Sequence, residues 1–202
     1  MTVETQAAVR AVQKIADHAA ALRFEDLTDL TIARARQVVL DTLGTALGGY
    51  PSPLGRLAVE YAATMQPGDE ATLVADGRRS TVEGAAWANA VVAKRLGMDD
   101  SHRTCGHVAA ELVPVVLALG EHLRLNGRQV ITALAAGYDA FAAIQPFVSE
   151  PQRARGLDHK GQAGTLASSI TAGVAMGLDA GKMAHALALS MDMACGTEQY
   201  VW

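Results

Sequence analysis

The stretch Asp99-Asp100-Ser101-His102-Arg103-Thr104-Cys105-Gly106-His107 holds the densest group of reactive side chains in the chain. Two carboxylates, a hydroxyl and two imidazoles can support acid–base chemistry, because imidazole titrates near neutral pH. The same residue types also build ordinary turns and helix caps, and composition leaves Asp99 and Ser101 open to that reading. A metal reading exists as well. His102, Cys105 and His107 lie within six residues, and Asp99 or Asp100 would add a ligand. Structural zinc sites usually draw two ligand pairs from separate segments. No second Cys/His pair accompanies this one, so metal binding is the less expected reading.

A second polar loop runs from Arg153 to Gly161 and carries Arg155, Asp158, His159 and Lys160. It precedes a helix expected from about Ala163. Outward-pointing amides and the helix dipole favour anions at such a place. A solvated inter-helix loop is the plainer alternative. His18, His122 and His185 fall on expected helices without polar neighbours of this kind and read as structural.

Two loops can only converge if rigid elements hold them, and the apolar spacing supplies helices almost throughout. Val9, Val12, Ile15, Ala16 and Ala19 mark a first helix over Val3–Leu22. Asp26 is the expected cap of a second, which Gly48-Gly49-Tyr50-Pro51 ends. A third spans about Leu54–Met65, and a fourth runs from Val82 to about Leu96 and stops at Gly97. Ala71–Val74 is the one convincing extended segment. Pro114 is expected in the first turn of the next helix, where its missing amide costs nothing. A helix over Val130–Phe147, a polar loop over Ser149–Gly156, and helices over Ala163–Met176 and Ala180–Ala194 complete the chain. The fold class is all-α, a multi-helix bundle, read as one domain over residues 1–202. Tyr200-Val201-Trp202 is an unusual ending for a frayed tail, so either it docks or the chain is part of something longer.

Composition agrees. Half of the 202 residues are hydrophobic and only 4% are aromatic, so Ala, Val, Leu and Met must fill the core. Small side chains let helices approach closely. Charged residues make up 19%, a low share that suggests a partner chain covers part of the surface. A net charge of −4 without a basic stripe speaks against nucleic acid. Gly161–Leu178 lacks charge, but its Gln, Ser, Thr and Gly content suits a buried helix better than a membrane span. Two cysteines are too few for a disulfide framework, and free thiols in a cytoplasmic protein without a signal peptide are the simplest reading.

At the two loops the sequence resembles the MmgE/PrpD family. The family pattern Ala-Asn-Gly, His, Asp-Phe-Asp-Asp-Thr, His-Pro appears here as Ala88-Asn89-Ala90, Lys94, Gly97-Met98-Asp99-Asp100-Ser101 and His107-Val108, followed by Leu112-Val113-Pro114-Val115. Gly127, Ala133 and Gly137-Tyr138-Asp139 look like the family's Gly-Tyr-Glu helix, and Arg155-Gly156-Leu157-Asp158 falls on its Arg-Gly-Phe-His. Gly164-Thr165-Leu166 and Gly177-Leu178 continue the match from a start near Phe24. The resemblance implies a helical domain, a separate lid domain that is absent here, a homodimer, and cofactor-free lyase or isomerase chemistry on small polycarboxylates, as in 2-methylcitrate dehydratase. It implies His107 as acid–base group, with Ser101, Asp99 and Asp100 orienting substrate or water. Asp158 or His159 would face them, and Arg155 and Lys160 would bind carboxylates.

The departures are specific. The family's first motif aspartate falls on Gly97, and its Arg-Gly-Phe-His histidine falls on Asp158, with His159 one residue later. The chain is also less than half the usual family length. Three expectations therefore stand together: a lyase domain completed by a second, lid-bearing polypeptide; a non-catalytic dimerising or ligand-binding descendant; and a fragment of a longer protein.

Overall fold

The structure is a computed structural model that describes residues 3–101 and 106–195. The terminal Tyr200-Val201-Trp202, on which a docked tail was expected, lies outside these residues, as do His102 and Cys105. Among the described residues the chain forms eight α-helices and one two-stranded antiparallel ribbon.

Helix α1 (Val3–Ala21) is followed by a short 3-10 turn, Phe24–Asp26. Asp26 does not cap α2 (Asp29–Gly49), as had been expected. Its carboxylate accepts from the Arg23 amide at 2.9 Å, and Thr28 takes the capping place by accepting from the Thr31 amide at 3.1 Å. Helix α3 (Pro53–Met65) starts from a Ser52 cap with proline in its first turn, where the amide is dispensable. Strand β1 (Ala71–Thr72) pairs with β2 (Arg79–Ser80), a partner too short and polar to stand out in the sequence. Helix α4 (Val82–Lys94) ends at a turn in which Gly97 adopts φ +61°.

Helix α5 (Ala109–His122) begins one and a half turns before Pro114, which corrects the expectation of a first-turn proline. Pro114 is buried inside the helix, leaving the Ala110 carbonyl without its usual amide partner. Helix α6 (Gly127–Arg153) also exceeds its expected length and absorbs most of the supposed loop at 149–156, despite Pro146 and Pro151. Ile144 and Val148 keep packing on the core there, so burial outweighs two missing donors. Only Ala154–Gly156 remains as a turn. Helix α7 (His159–Ala175) therefore starts four residues early, and α8 (Ala180–Met193) follows from an Asp179 cap.

Helix α5 lies at the centre. One face packs Leu112 and Val113 with Leu134 and Phe141 of α6 and Ala163 and Ala167 of α7. Another packs Ala110 and Ala118 with Val59 of α3, Leu73 and Val92 of α4. Helices α1 and α8 close over α6 and α7 through Ala16, Ala140, Ile170, Met183 and Leu187. Closeness is built in by glycine: a side chain at Gly137 of α6 would overlap Thr171 Oγ1 of α7. Helix α6 has the length and hydropathy to cross a membrane over Gly127–Pro151, with half of that stretch buried inside the fold. That is the profile of a core helix, and among the described residues this segment, not Gly161–Leu178, is the one long and apolar enough to span.

Candidate active site

The site grows from two helix ends and a loop. Lys94, the last residue of α4, places Nζ 2.8 Å from Asp99 Oδ2. The Asp99 side chain is only 1% exposed, against 44% for Lys94. The ammonium thus reaches from solvent to a buried carboxylate. The second oxygen, Asp99 Oδ1, is shut off from solvent and has no hydrogen-bond partner among the described residues. His107 Nδ1 lies 3.8 Å from it, too far for a hydrogen bond.

His107 is fixed by backbone. Its Nδ1 meets the carbonyl oxygens of Asp99, at 3.3 Å, and of Asp100. A carbonyl can only accept, so in neutral His107 the proton sits on Nδ1 and the lone pair on Nε2. The ring is about one-third exposed. An imidazole held this way presents a base to whatever lies above it.

Asp100 is committed to structure. Its Oδ1 accepts from the amides of Val108 at 3.1 Å and Ala109 at 2.8 Å, the first donors of α5. Its Oδ2 accepts from Tyr138 OH at 2.6 Å. Val108, at the formal cap position, has no side chain able to do this. The carboxylate therefore caps α5 from eight residues away and ties the loop to α6. Burial and the Asp100 charge hold the Tyr138 phenol protonated well above its ordinary range.

The second loop arrives from the α7 side. Asp158 Oδ1 accepts from the Gly161 amide at 3.2 Å in the first turn of α7. Asp158 also acts electrostatically on Glu111 of α5, together with Lys94, Asp99 and Asp100. The two loops therefore share one neighbourhood centred on the start of α5. His159 and Lys160 stand in the first turn of α7, and their side chains lie outside the described residues. Ser101 is exposed at the loop edge, and Arg155 is exposed in the 154–156 turn. No contact among the described residues ties either to the cluster. At Gly97, a side chain would meet open space.

Lys94 and Glu111 were not singled out from sequence as site residues. Lys94 had a signal, since it falls on a family histidine and ends an apolar helix five residues before Asp99. Glu111 had a fainter one, a lone acid inside Ala109-Ala110-Glu111-Leu112-Val113. Glu111 keeps part of its surface open, yet its Oε2 is buried without a hydrogen-bond partner among the described residues. Burial is the main cause that pushes its carboxyl up to about 8; Lys94 opposes the shift and Asp158, Asp99 and Asp100 add to it. Among the described residues no group of three or more His, Cys, Asp or Glu is arranged to hold a metal ion. The wide surface grooves, of about 1050 Å³ beside Phe24, Arg36 and Arg128 and about 650 Å³ beside Arg23 and Met176, are lined by other residues.

Comparison with known proteins follows this geometry. The MmgE/PrpD N-terminal domain matches residues 13–201. Human cis-aconitate decarboxylase is 26% identical over 179 residues, which cover 86% of this chain and 37% of that protein. Cis-aconitate decarboxylase of Aspergillus terreus is 24% identical over 190 residues, covering 91% of this chain and 39% of that protein. The chain thus spans less than two-fifths of the length of these relatives.

Proposed function

Because this chain belongs to the MmgE/PrpD family, we propose that it is a lyase-family domain that forms one half of an acid–base site for small polycarboxylates. The reaction class is proton transfer next to a carboxylate, as in 2-methylcitrate-type dehydration or in the decarboxylation named for its cis-aconitate relatives. The observation that carries the reading is the backbone-fixed His107, whose Nε2 is left as the base. Lys94 supplies positive charge beside it for the anionic substrate and for carboxylate-stabilised intermediates. Ser101, Arg155, His159 and Lys160 are proposed to complete the anion-binding rim, with Asp158 facing His107's loop from the α7 side. A second, lid-bearing segment closes the site. A homodimer would cover apolar side chains that stand exposed on α2 and α3, among them Leu30, Leu40, Leu47 and Leu57.

The test mixes the chain with a lid-bearing family segment and follows dehydration of 2-methylcitrate and citrate and decarboxylation of cis-aconitate. Turnover should fall by about 10²–10⁴ in His107→Ala. Unchanged turnover in that variant removes His107 from the mechanism.

One observation favours a second reading. Gly97 offers no side chain, and Asp158 is engaged at the start of α7. A chain that binds citrate but turns nothing over, with or without a lid, would be a carboxylate-binding descendant of the family.

A further inference from the structure

Glu111 is set into the fold by a matched pair of residues. It projects from the first turn of α5 onto α7, where a side chain at Gly164 would overlap its Oε2. Glycine at 164 is therefore the notch that admits the carboxyl. Within the notch Oε2 is sealed from solvent and has no hydrogen-bond partner among the described residues, and the same is true of Asp99 Oδ1 nearby in the cluster. Buried carboxyl oxygens without a donor are costly unless a donor fills the gap or a proton sits on one of them. Asp99 already has its ammonium partner in Lys94; among the described residues no cation is hydrogen-bonded to Glu111 Oε2.

We propose that Glu111 is the proton-carrying residue of this site, and that a carboxylate ligand is taken up with Glu111 protonated, so that its carboxyl presents no negative charge to the ligand. The inference rests on the carboxylate-handling reading above and adds a residue to it that neither the sequence motifs nor the relatives assign. Among the described residues the charged groups that act most strongly on Glu111 are Lys94 from α4, Asp99 and Asp100 from the preceding loop, and Asp158 ahead of α7. Three of the four are acidic, and with burial they hold its carboxyl near 8. From Glu111 alone, affinity is then nearly flat below pH 7 and falls about fivefold between pH 8 and pH 9.

The experiment is citrate binding to the full chain by calorimetry from pH 6.5 to 9, in buffers of different ionisation enthalpy, beside a carboxyl NMR titration of Glu111. Glu111→Gln copies the neutral form and supplies the assignment. Wild type should bind with proton uptake near pH 8, and Glu111→Gln should bind without it and with flat affinity across this range. Equal proton uptake in both, or a Glu111 resonance that titrates in the ordinary carboxylate range, overturns the inference while leaving the carboxylate reading intact. Absence of citrate binding in both proteins overturns the carboxylate reading, and this inference with it. Should Glu111→Gln fail to fold, the wild-type titration with and without citrate still decides: citrate must move the Glu111 midpoint upward.

Discussion

Gly164→Ala is a one-carbon change whose effect should depend on a residue on another helix. The added Cβ would overlap Glu111 Oε2 and lie 2.5 Å from Cδ and 3.2 Å from Oε1. Oε2 is enclosed, so the carboxyl cannot simply swing into solvent. Overpacking of this kind costs about 1–3 kcal/mol. Against it stands the better helix propensity of alanine inside α7, about 0.8–1 kcal/mol. In the wild-type background the net effect is a loss of roughly 0–2 kcal/mol. In a Glu111→Ala background the obstacle is gone, and the same change should stabilise by up to about 1 kcal/mol. The coupling between the two sites is then about 1–3 kcal/mol. Glu111→Gln is the control, because its amide fills the same notch and Gly164→Ala should cost as much there as in wild type. Urea unfolding of the six proteins at one pH, analysed with a common slope, measures all of this. A coupling below about 0.5 kcal/mol between positions 111 and 164 would refute the notch.

Stability should also depend on pH through Glu111. Its folded-state carboxyl is raised from 4.5 to about 8, so the folded chain holds a proton that the unfolded chain releases. The contribution is fully present below about pH 4.5 and is lost as pH climbs through about 8, at no more than about 1.4 kcal/mol per pH unit. Urea midpoints between pH 5 and 9 should show that slope in wild type and its absence in Glu111→Gln. Asp100→Ala removes the acceptor for two α5 amides and for Tyr138, and should cost about 2–3 kcal/mol; Tyr138→Phe should cost about 1 kcal/mol. Equal losses in these two variants would mean that the capping bonds contribute nothing.

Much of the helical framework can be read from apolar spacing and punctuation. The ends of α1, α3 and α8 fall within about a residue of where periodicity, proline and Asp179 put them. Errors gather where tertiary packing overrides a local signal. Pro114, Pro146 and Pro151 are breakers in a sequence, but burial of their neighbours carries α5 and α6 through them. Asp26 looks like a cap and is held instead by the Arg23 amide. Asp100, Ser101 and His107 look alike as polar loop residues, and only their partners separate a cap, an exposed hydroxyl and an oriented base.

The sequence by itself determined that this chain builds a bundle of closely packed helices, because small apolar residues repeat at helical spacing. It also determined that the polar residues near 99–107 and 153–161 interrupt that bundle, since no apolar face runs through them. Tertiary structure decided which of those residues share a site and in what protonation state. His107 owes its orientation to two backbone carbonyls, Asp99 meets Lys94 from the end of α4, and Glu111 owes its raised carboxyl to burial against Gly164, fifty-three positions away. Burial and orientation arise only when helices from distant segments meet, and they set the chemistry of an ionisable group more strongly than its sequence neighbours do.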